Sequence, residues 1–213
     1  PAPVPEPDID VDTAVDRALG AVHVRGPVHV RWSPDGQRIA SGSADGVVRV
    51  HDGPTGNSLS RVSIIEGGAV MGVVWIRDGS AVVTASEDGR VRLVDLKNGV
   101  IAAAEAHTGR ARAMAISAEG TAVVSGGDDG RVRMWSTNSV ALLADLAPLP
   151  AAGKRKIVSR PAVQAVAMAH DRVVAALADG TVVSWVGGGR PDLIARLPRA
   201  PTSLAIAKDG MTI

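Results

Sequence analysis

One stretch of the sequence carries the side chains of a hydrolytic centre. His107, Ser125 and Asp129 follow one another in the chain, and Trp135 lies just beyond them. Imidazole, hydroxyl and carboxylate are the groups of a nucleophilic triad, in which the base activates the hydroxyl and the acid orients the base. The same groups, joined by an indole N–H donor, can also satisfy one another inside a protein without reacting. The elements that carry them decide between the two interpretations.

The same polar pattern recurs along the chain. His23, Ser41 and Asp45 repeat the histidine, hydroxyl and acid at matching spacing, with His51 at the position of the tryptophan. Recurrence in register favours a structural network over a triad, because a single catalytic centre needs only one set of groups. Two further copies are less complete and retain Thr84 with Asp88, and Asp179 with Trp185.

These groups belong to a unit that recurs about every forty residues. Each unit contains an Asp-Gly pair, and the spacings between successive pairs are 43, 41 and 50 residues. Short runs of Val, Ile, Ala, Ser and Thr flank each pair and predict strands of about five residues. Asp-Gly between two such runs is typical of a tight hairpin, since the glycine adopts positive φ without steric cost. Each unit is therefore predicted to be a meander of antiparallel strands. The pairs begin at Asp45, Asp88, Asp129 and Asp179.

One meander cannot bury both of its faces, whereas copies stacked around an axis can. Helical repeats of similar length would need amphipathic segments of ten or more residues. Only Val11–Leu19 and Val140–Leu149 approach that pattern, and both lie outside the repeated motif. The period and the turns together predict a β-propeller.

The units resemble the WD40 family of β-propeller repeats. A blade of that family often carries a buried tetrad of His, Ser or Thr, Asp and Trp, which implies a structural role for His107, Ser125, Asp129 and Trp135. The resemblance implies an all-β WD40-type β-propeller with about four blades and the start of a fifth, expected to be a fragment of a larger propeller of about seven blades. The Trp-Asp dipeptide that names the family is nowhere complete. Partial tetrads are implied at His23, Ser41, Asp45, Thr84, Asp88, Asp179 and Trp185.

The chain is expected to divide into two parts. In residues 1–20, proline occupies every second position at first, and aspartate then does the same. This pattern predicts a Pro-rich acidic linker or a strand that closes the ring. Residues 21–213 are assigned to the propeller. The blades are expected at 21–62, 63–104, 105–146 and 155–196, with a partial blade at 197–213.

Two groups of basic residues could meet a partner. The longest repeat spacing contains an insertion with Lys154, Arg155, Lys156 and Arg160, which is either a solvated loop or a docking loop for an acidic protein. Arg49, Arg92 and Arg133 share one repeat position. Their stems are expected to cover apolar surface while their guanidinium groups reach water, with binding of an anionic partner as the alternative.

Composition excludes several classes of function. The net charge of +1 and an aromatic content of 2% give neither the field nor the stacking platform of a nucleic-acid-binding protein. The chain has no cysteine, so it has no disulfide and no cysteine-based metal site or nucleophile. We expect no metal and no cofactor. No apolar run in this segment is long enough for a membrane span.

Of the 23 basic residues only four are lysine, which suggests a GC-rich bacterial genome. We expect a cytoplasmic protein.

The resemblance implies a non-catalytic scaffold or sensor module that binds protein partners through loops displayed on a rigid ring. Two alternatives stay open. The propeller could be appended to a signalling enzyme such as a kinase, protease or NTPase. It could also be a propeller hydrolase or lactonase, although the repeated acids are explained by hairpin turns and no set of carboxylates or histidines converges on one site.

Overall fold

The computed structural model describes residues 27–64, 68–146 and 160–207. Within these ranges the chain is all β, with sixteen strands and no helix. The strands are β1 (Pro27–Trp32), β2 (Arg38–Ser43), β3 (Val47–Asp52), β4 (Ser58–Ser63), β5 (Val70–Trp75), β6 (Ala81–Ser86), β7 (Arg90–Asp95), β8 (Gly99–Glu105), β9 (Ala111–Ile116), β10 (Ala122–Gly127), β11 (Val132–Ser136), β12 (Leu142–Leu146), β13 (Val163–Ala169), β14 (Arg172–Leu177), β15 (Thr181–Val186) and β16 (Asp192–Arg196).

Consecutive strands pair into four antiparallel sheets of four strands each, which we call blades one to four. Each blade is a simple meander, so the predicted architecture of a WD40-type propeller is confirmed. The outer strand predicted near residues 141–146 is β12. The residues before β1 and between β12 and β13, including the predicted linker 1–20, lie outside the described residues.

The Asp-Gly pairs make the hairpins between the second and third strands. In each pair the aspartate carboxylate accepts the backbone N–H two residues later, and the glycine has positive φ. An acid at the first position and a glycine at the second therefore close the turn without a steric penalty. The glycines and their φ angles are Gly46 (77°), Gly89 (80°), Gly130 (67°) and Gly180 (84°).

The blades follow one another around a common axis. The first strands β1, β5, β9 and β13 contact each other in chain order. Apolar side chains fill the space between neighbouring blades: Val50 packs with Val73, Val83 with Met114, and Val124 with Val173. Beyond the fourth blade, Leu204 and Ile206 pack on the cluster around Val174.

Antiparallel pairing gives each blade two ends. The turns after β1, β5, β9 and β13 lie at one end, which we call the lower face. The turns after β2, β6, β10 and β14, which contain the Asp-Gly pairs, lie at the other end, which we call the upper face.

The outermost strand of every blade contains a β-bulge. The pairing between third and fourth strands shifts by one residue in each sheet, which leaves one extra residue on the outer strand. The shift lies near the lower face in blades one to three and near the upper face in blade four. The extra residue is a large aliphatic side chain with about half of its surface exposed in every case. These bulge residues are Leu59 (55%), Ile101 (55%), Leu143 (55%) and Ile194 (45%).

Candidate functional site

The complete polar network lies at the upper end of the third blade. His107 Nδ1 is 2.9 Å from Asp129 Oδ1, and His107 Nε2 is 2.8 Å from Ser125 Oγ. The indole N–H of Trp135 donates to the same Ser125 oxygen at 2.8 Å. His107 precedes β9, Ser125 lies on β10, Asp129 lies in the turn and Trp135 lies on β11. The structure thus joins in one hydrogen-bonded network four residues that the sequence spreads over two strands and two connecting segments.

The order Asp129–His107–Ser125 is that of a nucleophilic triad, but the hydroxyl is enclosed. Ser125 is fully buried, and its Oγ lies between the imidazole and the indole. Gly127 passes so close to the imidazole that a Cβ there would overlap its ring. A substrate carbonyl therefore has no approach to the Ser125 oxygen, and what the arrangement can do is hold strands together.

The network favours a neutral imidazole. Burial lowers the pKa of His107 more strongly than Asp129 raises it. Burial alone would raise the pKa of Asp129, but hydrogen bonds from Arg133 and His107 keep it below its ordinary value. A neutral His107 that donates from Nδ1 to Asp129 can accept the Ser125 hydroxyl proton at Nε2. The polar side-chain atoms of this four-residue network then all have partners.

A recurring ion pair accompanies the Asp-Gly turns of the first three blades. The carboxylate of Asp45 is 2.8 Å from Arg49, that of Asp88 is 3.1 Å from Arg92, and that of Asp129 is 2.8 Å from Arg133. In each blade the arginine lies directly across from the Ser or Thr of the repeat. The tight turn folds the aspartate back over the third strand. Its carboxylate can therefore reach the arginine that lies four positions later in the sequence.

The expectation that these guanidinium groups reach water is wrong for two of the three arginines. Arg49 is 3% exposed and Arg92 is 6% exposed. The physical reason is the ion pair, because a buried guanidinium is tolerated only when a carboxylate and other acceptors surround it. Alternation along the strand placed these side chains away from their apolar neighbours but could not show the turn acid that holds them.

The first blade has a substitute for the tryptophan. Ser41 and Asp45 lie at their expected places on β2 and in its turn, and Ser41 is fully buried. His51, at the tryptophan position, is also fully buried, with Nδ1 3.3 Å from the Gly56 carbonyl and with no partner for Nε2. Burial lowers the pKa of His51. His23 lies outside the described residues.

The second blade retains the turn but has lost the network. Thr84 is fully buried and its hydroxyl has no hydrogen-bond partner. Val94 occupies the tryptophan position across from Val82, so no indole is available. Asp88 pairs instead with Arg92, which also reaches the Ser86 hydroxyl at 3.2 Å.

The fourth blade has neither the network nor the ion pair. Ala175 stands at the serine position, and its cross-strand partner is Val183 rather than an arginine. Asp179 accepts the N–H of Thr181 within its turn. Trp185 is buried at the tryptophan position.

Two acids that precede Asp-Gly pairs were not singled out from the sequence. Glu87 accepts the N–H of Ala69 at 3.1 Å, and Asp128 accepts the N–H of Arg110 at 3.0 Å. Arg110 also pairs with Glu87 at 2.9 Å, and Arg112 pairs with Asp128. The signal in the sequence is an acid directly before Asp-Gly in the second and third units only. These acids tie the turns to the connections that enter β5 and β9.

The candidate basic loop is only partly described. Lys154, Arg155 and Lys156 lie outside the described residues, whereas Arg160 lies at the upper face beside Gly130. Its Nη1 atom is buried without a hydrogen-bond partner.

Within residues 27–64, 68–146 and 160–207, no three His, Asp or Glu side chains come together as a metal site would require. The same residues contain no apolar helix of membrane-spanning length.

Comparison with known proteins gives matches along the repeats. The family model described as "WD domain, G-beta repeat" matches residues 21–52, 60–95 and 100–136, which include most of blades one to three. The chain is also similar to WD repeat-containing protein 1 of Xenopus tropicalis, at 36% identity over 69 residues. That match covers 32% of this chain and 11% of the relative, so the chain spans a small part of that protein's length.

Proposed function

Because the chain belongs to the WD40-repeat family, we propose that it is a non-catalytic scaffold that presents the loops of its upper face to protein partners. WD40 repeats are generally protein-interaction modules. The chemistry of the third blade agrees with this role, since its one hydroxyl–imidazole–carboxylate chain is enclosed and joins strands.

The observation that carries the proposal is the rigid attachment of an upper-face connection. The backbone N–H groups of Ala106 and His107 both donate to the Gly89 carbonyl, at 2.9 and 2.8 Å. Arg110, three residues on, bonds to Glu87 of one blade and Asp128 of the next. A loop that is fixed before a partner arrives loses little conformational entropy on binding.

The partner surface is proposed to include the basic residues Lys154, Arg155, Lys156 and Arg160. Three cationic residues in succession, with Arg160 shortly after them, would favour an acidic protein segment. The absence of cysteine supports a cytoplasmic location.

The test compares two triple variants of the full chain as baits in quantitative affinity purification. The variant K154E/R155E/K156E should lose a discrete set of co-purifying proteins. The control R61E/K97E/R190E makes the same charge change at exposed positions outside the upper face and should retain that set. Equal retention by both variants, or no protein enriched above an empty bait, would show that this loop does not bind partners.

A further inference from the structure

A cavity opens on the lower face, at the end of the propeller axis opposite the loops discussed above. Its volume is about 310 Å³, and residues from the first strands of all four blades line it together with Leu204. Four of these, one from each blade, share a repeat position at or next to the strand end and supply large side chains. They are Trp32, Trp75, Ile116 and Met168.

The apolar wall of the cavity is preformed. Trp75 is nearly buried, its indole N–H donates to the Arg31 carbonyl at 3.0 Å, and the Arg38 guanidinium lies 4.9 Å from its ring centre. Trp32 rests against Gly53, where a Cβ would overlap the indole ring. A pocket of this size lies at the lower end of the range of about 300–1,000 Å³ typical of small-ligand sites. It accepts a few side chains rather than a folded domain.

Arg31 is the one charged residue among those that line the cavity. Its repeat position is held by Val74, Ala115 and Ala167 in the other blades, so the blade architecture does not require a cation there. The side chain is exposed, and within the described part of the chain it bonds only to the adjacent Val30 carbonyl, at 2.9 Å. An unpaired guanidinium beside apolar walls favours a carboxylate on the ligand.

Two acids in the lower-face turns after β1 and β5 are engaged within those turns. Asp35 accepts from the Ser33 hydroxyl and the Gln37 N–H, and Asp78 accepts from both the N–H and the hydroxyl of Ser80. Neither carboxylate is positioned to neutralise Arg31. The cation is therefore available to a ligand.

The backbone around the cavity offers hydrogen bonds as well. Among the described residues, β1, β5, β9 and β13 each pair on one side only, so alternate N–H and C=O groups face the axis without a strand partner. The Arg31 carbonyl is one of these groups, as its bond to Trp75 shows. An extended peptide can use such groups through its own backbone, whereas a fatty acid cannot.

We propose that this cavity binds an extended peptide segment that carries an acidic side chain next to aliphatic ones. The acid would pair with Arg31, and the aliphatic side chains would pack against Trp32, Ile116 and Met168. This site is separate from the upper-face loops, so an experiment can disprove binding at one site without disproving binding at the other.

The probe is a library of short random peptides displayed on phage and selected against the full chain. Enriched sequences should combine an acidic residue with aliphatic neighbours. A synthetic peptide of the enriched sequence, measured by fluorescence anisotropy, should bind R31A at least about tenfold more weakly than the original protein, since a charge-assisted bond is lost. R31A should fold normally, because alanine occupies this position in the third and fourth blades.

Two further variants complete the test. A115V/A167V narrows the cavity with the residue that the second blade already carries there, and should also weaken binding. R61E alters an exposed arginine on β4 and should bind the peptide as the original protein does. The proposal is overturned if no sequence is enriched, if the enriched peptides lack acids, or if R31A binds unchanged. Sodium decanoate, an apolar anion without a peptide backbone, should not displace the bound peptide. If it does displace the peptide from this cavity, the proposal of a peptide ligand is overturned.

Discussion

The indole N–H of Trp135 donates to the Ser125 hydroxyl at 2.8 Å, and this bond joins the two central strands of the third blade. The same oxygen is 2.8 Å from His107. Replacing Ser125 with alanine would leave a buried indole N–H and a buried imidazole nitrogen without partners. We expect S125A to lower the free energy of unfolding by about 1–3 kcal/mol, measured by urea denaturation.

The matched control is Thr84, which occupies the same repeat position in the second blade. Its hydroxyl is buried and has no partner, so replacement by the similarly shaped valine removes only an unsatisfied polar group. T84V is expected to leave the free energy of unfolding unchanged or to raise it. A loss in T84V as large as in S125A would mean that burial of a hydroxyl, rather than its bonds, sets the cost.

Two arginines on β7 separate the effect of a buried ion pair from that of an exposed one. Arg92 is buried against Asp88, and Arg90 pairs with Glu105 at 2.9 Å in solvent. R92M should cost about 3 kcal/mol in the free energy of unfolding, because it leaves the Asp88 carboxylate uncompensated. R90M should lower the melting temperature much less, because solvent screens the exposed pair. Thermal melts of both variants would test this, and equal shifts would contradict it.

Buried histidines should make the fold sensitive to mild acid. Burial lowers the pKa of His29, His51 and His107. The unfolded chain therefore takes up protons as the pH falls below about 6.5, while the folded chain resists them, so stability is full above that value and declines below it. The turn aspartates have a lowered pKa and lose their contribution only at more acidic pH, below their ordinary range.

Urea denaturation at several values between pH 7.5 and 5 would measure this decline. H51L removes one of the three titrating groups and the unpartnered Nε2 with it. Its stability should fall less steeply with decreasing pH than that of the original protein. An identical slope would show that His51 does not contribute to the acid sensitivity.

Glycine is required in the hairpin turns for two separate reasons, which can be distinguished by substitution in the β1–β2 turn and in the β6–β7 turn. Gly36 has a φ of +68° with open space around it, whereas a Cβ at Gly89 would fall on the carbonyl oxygens of His107 and Gly109. G36A should cost about 1 kcal/mol for its backbone conformation alone. G89A should cost about 3 kcal/mol or more, because the connection into β9 must also move. If G36A and G89A had comparable melting temperatures, the close approach of Gly89 to the connection into β9 would not be what makes glycine necessary there.

Much of the architecture follows from local chemistry. Asp-Gly pairs and runs of β-branched residues recur in register, so the hairpins and the meander could be predicted from the sequence. Residues that touch across a turn were harder to foresee. The Arg49–Asp45 pair depends on how tightly the hairpin folds back, which residue spacing alone does not specify.

Defects in the repeat could be located from the sequence, but not their consequences. The valine in place of tryptophan at Val94 was visible, whereas the unpartnered hydroxyl of Thr84 requires the packing around it. Arg31 was not singled out either, because its significance depends on the cavity that four separate strands enclose.

The bulges of the outer strands bear on how these molecules behave when crowded. A strand from a neighbouring molecule, laid along β8, would meet the extra residue Ile101 and fall out of step with the backbone beyond it. The same obstacle stands at Leu59, Leu143 and Ile194. A continuous ladder between molecules cannot grow from any of these edges, even though each displays an aliphatic side chain. The bulged register of the rim thus disfavours polymerisation through its edges.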